Sequence, residues 1–154
     1  MRLVVAVVGK ARNQALGEAI RDYETRAARY WPLEVHEVRE ERGGASPGER
    51  VREREGARLA EKIPDRARTV ACELGGKRLD SRQFADLLRS ARDQDRDLAF
   101  LIGGAHGLDA DLAASSQMKL SLAPWTLPHE LARLVLTEQI YRAGTIVRGE
   151  PYHK

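Results

Sequence analysis

The chain has no long hydrophobic run. Its longest unbroken apolar stretch, LVVAVV from Leu3 to Val8, is far short of the ~18 residues that a membrane-crossing helix needs. The same stretch is too short for a secretory signal and lacks a small-residue cleavage site, so it reads as a buried first strand. Cysteine is nearly absent: Cys72 alone excludes an intrachain disulfide and fits a reducing, cytoplasmic setting. A large excess of one charge is missing too, since 26 Lys and Arg against 23 Asp and Glu leave a net +3. That balance does not by itself mark a nucleic-acid binder. From Arg39 to Arg66 the charges are interleaved, as on a solvated helix with local ion pairs. From Lys119 to Lys154 five basic residues face three acidic ones, with His129 and His153 besides, so a polyanion surface would include that end. No membrane contact and no metal site are expected.

At 154 residues the chain is long enough for one domain with its own core. Strand patterns fall at Arg2 to Val8, Leu33 to Val38, Arg68 to Leu74, Leu98 to Ile102 and Met118 to Leu122. Helical patterns fall at Gln14 to Tyr30, Glu49 to Lys62, Ser81 to Arg92, Asp109 to Ser116 and Pro128 to Ile146, with Ser81 and Asp109 as N-caps. GGASPG, Gly43 to Gly48, reads as a flexible loop. The first strand is apolar on both faces, the mark of a sheet covered on both sides. The fold class is therefore α/β, a mostly parallel sheet with helices on both faces.

In such sheets ligands bind at the carboxyl ends of strands, where the strand order switches. Three ends stand out: CELGG at Cys72 to Gly76, GGAHG at Gly103 to Gly107, and LAPWTL at Leu122 to Leu127. The first two are rich in glycine, which permits close approach of a ligand to backbone. The third lies between Pro124 and Pro128 and carries no charge. GGAHG fits neither G-x-G-x-x-G nor G-x-x-x-x-G-K-[ST], and it lacks the lysine a triphosphate would want. Backbone donors with apolar walls suit a flat heterocycle such as adenine. Ordinary tight turns are the alternative.

FLIGGAHGL, LSLAPWTLPHELARLVLTEQIYRA and GEPYHK together resemble the small bacterial ribosomal large-subunit pseudouridine N3-methyltransferases of the SPOUT superfamily. VVAVVGKARN and ELGGKRLDS fit the same family, so the likeness runs the length of the chain and is loose only from about Glu40 to Arg66. It implies a C-terminal trefoil knot, a homodimer and S-adenosylmethionine as methyl donor. The implied substrate is a pseudouridine in a hairpin loop of 23S ribosomal RNA, helix 69, methylated at N3 on the assembled ribosome. Carried over position by position, it places the donor at Cys72, Gly103 and Leu122 to Leu127 (Leu122, Ala123, Pro124, Trp125, Thr126 and Leu127), with Gly104 beside Gly103. Cys72 stands in place of an aliphatic residue and is expected to act as a small hydrophobe. His106 is read as a solvent-facing loop residue.

Methyl transfer from a sulfonium is an in-line displacement, so the protein aligns the partners and excludes water. The acceptor nitrogen must lose a proton, which a histidine can accept, and a cation can stabilise the resulting anion. The candidates are His129, Arg142, Tyr152 and His153. For His129 the alternative is a residue that merely fixes the entry to the last helix. For Arg142 it is an intrahelical ion pair with Glu138. Tyr152 and His153 lie in a tail with little apolar anchorage, to be ordered by RNA or by a partner subunit, or else frayed. Rival readings of the whole are a SPOUT enzyme with another RNA target, and a nucleotide-binding or ribosome-associated module without catalysis.

Overall fold

A computed structural model describes residues 1–42 and 47–154. The loop read at Gly43 to Gly48 therefore falls, at 43–46, outside the described residues. Five strands, β1 (Leu3–Val8), β2 (Leu33–Val38), β3 (Arg68–Arg78), β4 (Leu98–Ile102) and β5 (Met118–Ser121), alternate with five helices. These are α1 (Gln14–Ala27), α2 (Gly48–Ala60), α3 (Ser81–Asp93), α4 (Ala110–Ser115) and α5 (His129–Arg148). The sheet order is β2-β1-β4-β3-β5, and every pairing is parallel.

Strand alternation divides the core. Leu3, Val5 and Val7 of β1, with Leu98, Phe100 and Ile102 of β4, pack beneath α1, α3 and α5. Ala6, Val8 and Leu101 point the other way, toward Leu59 of α2 and the flanking Leu108 and Leu112 near α4. Both central strands are thus apolar on both faces, as a sheet with two covered sides requires. Burying Leu136 and Ile140 of α5 contributes about 1.5–3 kcal/mol each.

Element ends differ from the sequence pattern where local hydrogen bonding competes with it. Asp80, not Ser81, caps α3: its side chain accepts from Gln83 N–H at 2.8 Å while Gln83 answers to Asp80 N–H. Ser81 instead donates to Gln139 at 2.8 Å and fastens α3 to α5. Helix α1 stops at Ala27, three residues before Tyr30, in a turn that enters Trp31-Pro32. Strand β3 does not end at Leu74; it runs through Gly75 and Gly76 to Arg78, with a register break between Cys72 and Lys77. A Cβ on Gly76 would lie 2.6 Å from the Leu120 backbone nitrogen, so glycine here lets β5 approach.

One buried ion network ties the layers. Arg133 of α5, 8% exposed, donates to Glu24 of α1 at 2.8 Å and to Glu37 of β2 at 2.6 Å. Burial alone would weaken the guanidinium's hold on its proton, but the two carboxylates outweigh it and raise its pKa.

Candidate active site

Cys72 to Leu74, at the register break of β3, and the carboxyl ends of β4 and β5 enclose a cavity of about 610 Å³. Cys72, Gly103, Gly104, Leu122, Ala123, Trp125, Thr126 and Leu127 line it; Pro124 does not and faces solvent. Among the described residues no Lys or Arg lines the cavity, and its one carboxylate, Glu73, lies 3.4 Å from the Lys119 ammonium. Burial pushes the Cys72 thiol up to about 12, as for a hydrophobe in an apolar wall. Leu74 and Trp125, 53% and 71% exposed, stand on the rim; they are the large hydrophobics left open to solvent among the described residues.

The two glycines that open the loop after β4 have a different cause from the one their position suggests. A Cβ on Gly103 would meet the Gly107 carbonyl oxygen at 2.6 Å, because the loop folds back with Gly107 N–H donating to Gly104 O at 3.0 Å. A Cβ on Gly104 would lie 2.7 Å from Glu55 Oε2 and 3.0 Å from Val8 Cγ1. Both are glycine because protein, not ligand, occupies the space. Gly107 turns the loop with φ +86°, and His106 is exposed.

His129 opens α5, where Pro128 is the N-cap, and it lines the cavity. Its Nε2 is buried without a hydrogen-bond partner, 3.9 Å from Glu40 Oε1. Next to it Glu130 accepts from the backbone N–H of Arg12 at 2.9 Å and of Asn13 at 3.3 Å, pinning the loop after β1 to the start of α5. Those donors hold the Glu130 carboxyl below the usual range.

Arg142, Tyr152 and His153 form a separate group. Thirteen residues of α5 put Arg142 about 20 Å along the helix from His129. Arg142 donates to Glu138 at 2.6 and 3.0 Å, as an i,i+4 pair, and its guanidinium stands 4.6 Å over the Tyr152 ring. Tyr152 meets the Tyr141 ring edge-on at 4.7 Å and donates to Glu138 at 3.0 Å. Burial first, then hydrogen bonds to Tyr23 and Glu138, raise the Tyr152 pKa. Glu150 accepts from Tyr30, and His153 Nδ1 is buried without a partner. The tail is thus ordered by its own chain, through aromatic packing that its short apolar content did not announce. Within one chain the four candidate catalytic residues do not converge.

Sequence reading did not single out Leu108 or Ala132 of the cavity wall, nor Glu55 beside Gly104. Glu55 sits in a highly charged helix whose pattern announces solvent, yet it is only 3% exposed.

A parallel sheet with an apolar cavity, without Lys or Arg in its described wall, can house a methyltransferase site, and the family match makes that the class of this chain. The chain matches the family described as "Predicted SPOUT methyltransferase" over residues 1–153 and belongs to it. It is 55% identical, over all of both chains, to the protein of Gemmatimonas aurantiaca named "Ribosomal RNA large subunit methyltransferase H". Proteins of that name from Anaeromyxobacter dehalogenans and Syntrophotalea carbinolica are 42% and 40% identical, covering 100% and 99% of both chains respectively. Among solved structures, a probable methylase family protein from Haemophilus influenzae aligns with a TM-score of 0.55 at 14% identity. The alignment covers 99% of this chain and 70% of that one, a likeness of fold.

Proposed function

We propose that the protein transfers a methyl group from S-adenosylmethionine to N3 of a pseudouridine in a hairpin loop of 23S ribosomal RNA (helix 69), on the assembled ribosome and as a cytoplasmic homodimer. The observation that carries the reading is the apolar cavity of about 610 Å³ between the ends of β4 and β5 and the register break of β3, without Lys or Arg in its described wall. The full-length relatives named as ribosomal RNA large-subunit methyltransferases support the substrate class. The single-domain organisation over 1–154 and the trefoil knot belong to the same proposal. They are supported by the match over 1–153 and by a parallel order in which β5 lies beyond β3 from β4.

The wall fits the donor. A flat adenine matches apolar side chains from Cys72, Leu122 and Leu127, and loop backbone is available for its polar edge. A phosphate-bearing cofactor would face Glu73 and no cation of the wall. When bound, the donor supplies an electrophilic methyl on a sulfonium. The chain's own part is alignment, exclusion of water and handling of the acceptor's proton. In this reading His129, which lines the cavity and whose Nε2 has no hydrogen-bond partner, hydrogen-bonds the acceptor ring or takes its proton. For Arg142, Tyr152 and His153 to act on the same base, they must come from a second copy, given the ~20 Å along α5. Half-buried Leu131, Leu134 and Val135 share one face of α5 and give such a copy an apolar seat.

Ribosomes from a strain deleted for the gene are incubated with the purified protein and labelled S-adenosylmethionine, and the large-subunit RNA is mapped by mass. One added methyl on a loop pseudouridine is the expected result; label on another nucleotide, or none, sinks the reading. In the same assay His129→Ala is expected to lower the rate about 100-fold or more, in the range of a lost general base.

A further inference from the structure

The rim of the cavity carries what its wall lacks. Between Cys72 and Lys77, which both take Leu120 of β5 as partner, β3 inserts the stretch Glu73 to Gly76. Leu74 stands on that insertion and Trp125 on the loop after β5; both line the cavity and both are open to solvent. Two large apolar side chains left open on one rim make a patch rather than scattered exposure. Just past the insertion, Lys77 and Arg78 pair with Leu120 and Ser121, and Arg82 lies in the first turn of α3. Lys77 is at most about 10 Å along the chain from Leu74. All three cations are exposed, and none enters an ion pair or a side-chain hydrogen bond with a described residue. Asp80, the carboxylate among them, is engaged in capping α3.

The basic residues from Lys119 to Lys154, where the sequence pattern put a polyanion surface, are largely spent within the chain. Lys119 pairs with Glu73 at 3.4 Å, Arg133 lies between Glu24 and Glu37, Arg142 holds Glu138, and Arg148 donates to the Arg29 carbonyl at 3.1 Å. Free positive charge on the β3 and β5 side of the cavity therefore comes from Lys77, Arg78 and Arg82. Charge also decides what such a rim can receive. S-adenosylmethionine is itself net cationic, since its sulfonium and ammonium outweigh one carboxylate, and free cations repel it. A second copy seated here by two-fold symmetry would bring the same cations against themselves. A nucleic-acid strand offers what the rim lacks, phosphates for the cations and flat bases for the indole.

We propose that this rim is the landing surface for the acceptor RNA, with Lys77, Arg78 and Arg82 on phosphates of the loop strand and Trp125 stacked on a base beside the one that is methylated. The proposal rests on the acceptor being an unpaired loop of ribosomal RNA, and it adds the residues that hold the strand outside the cavity.

Methyl transfer to ribosomes from the deletion strain, with ribosome concentration varied, tests it. Replacing Lys77, Arg78 and Arg82 together by alanine is expected to raise KM for ribosomes at least about ten-fold. Three lost phosphate contacts are also expected to flatten the slope of log KM against log salt concentration by about 2. Affinity for S-adenosylhomocysteine, read by titration calorimetry, is expected to stay that of the parent. The charge-keeping combination Lys77→Arg, Arg78→Lys and Arg82→Lys is expected to retain the parent's salt slope. Trp125→Ala is expected to raise KM about five- to a hundred-fold, the size of one lost base stack, and Trp125→Phe to recover most of it. A parental KM and salt slope in the triple alanine variant overturns the proposal. So does a loss of S-adenosylhomocysteine affinity that matches the rise in KM, which would make these residues a support of the donor site. Arg82→p-benzoylphenylalanine is expected to crosslink to large-subunit RNA under light; capture of a ribosomal protein instead overturns the assignment to RNA. If the parent methylates no ribosomal RNA, the functional reading itself has failed and the landing surface goes with it.

Discussion

Single side chains decide several properties that can be measured apart from catalysis. The rise of the Cys72 thiol from 9.0 to about 12 lowers its thiolate fraction at pH 8 by about a thousand-fold. Iodoacetamide is therefore expected to leave the native protein unlabelled at that pH and to modify it in urea, read by intact mass. Arg133 is the opposite kind of buried group, charged and doubly paired. Replacing it with methionine strands Glu24 and Glu37 and is expected to cost about 3–5 kcal/mol in urea unfolding.

Among the elements, α5 packs against α1, α3 and the sheet, and its glycine shows how closely it is packed. A Cβ on Gly144 would lie 2.5 Å from the Tyr30 Cβ. Alanine there gains about 1 kcal/mol of helix propensity and meets about 1–3 kcal/mol of overpacking. Gly144→Ala is expected to lower the urea midpoint, whereas Gly17→Ala in α1, where the nearest atom is the Arg21 guanidinium 3.4 Å away, is expected to raise it by up to about 1 kcal/mol. A lower midpoint for Gly17→Ala would show that α1 has less room than its neighbours imply. The element assignments were legible from periodicity because packing against the sheet reinforces it, as in α3. The end of β3 was not, since Gly75-Gly76 looks like a terminator until β5 is seen to pair with Lys77 and Arg78.

At the scale of the whole molecule, acid stability sums over paired carboxylates. Burial raises the Asp97 pKa, but the Arg2 backbone N–H and guanidinium outweigh it; Arg58 and then Arg54 lower that of Glu41, and Arg12 N–H lowers that of Glu130. Each folded value lies below the unfolded one, so the stabilisation is present above ordinary values of 3.8 for Asp97 and 4.5 for the two Glu. It is lost as the pH falls through the lowered folded values. The melting temperature is expected to be flat from pH 8 to about 6 and to drop below about pH 4.5; a drop already at pH 6 would implicate histidines instead. The two tryptophans report on the site separately, because Trp31 is buried and Trp125 stands open on the cavity rim. S-adenosylhomocysteine is expected to shift the emission to shorter wavelength in the parent and not in Trp125→Phe.

The sequence alone determined the covered parallel sheet, since alternating patterns of strand and helix with a doubly apolar β1 admit few other arrangements. It also pointed to the residues that line the cavity, because ligand sites in such sheets follow from strand ends; Gly103 and Leu122 lie just past one, whereas Cys72 lies within β3 at its register break. What it could not determine are relations between residues far apart in the chain. The space beside Gly104 belongs to Glu55, forty-nine positions earlier, and the tail is held by Tyr23 and Tyr141. That Arg142 lies far along α5 from His129 follows from counting residues, but whether a fold bridges such a gap is settled only by packing. Periodicity reports which face of an element is apolar; only the tertiary structure decides what meets that face, because the partners come from distant parts of the chain.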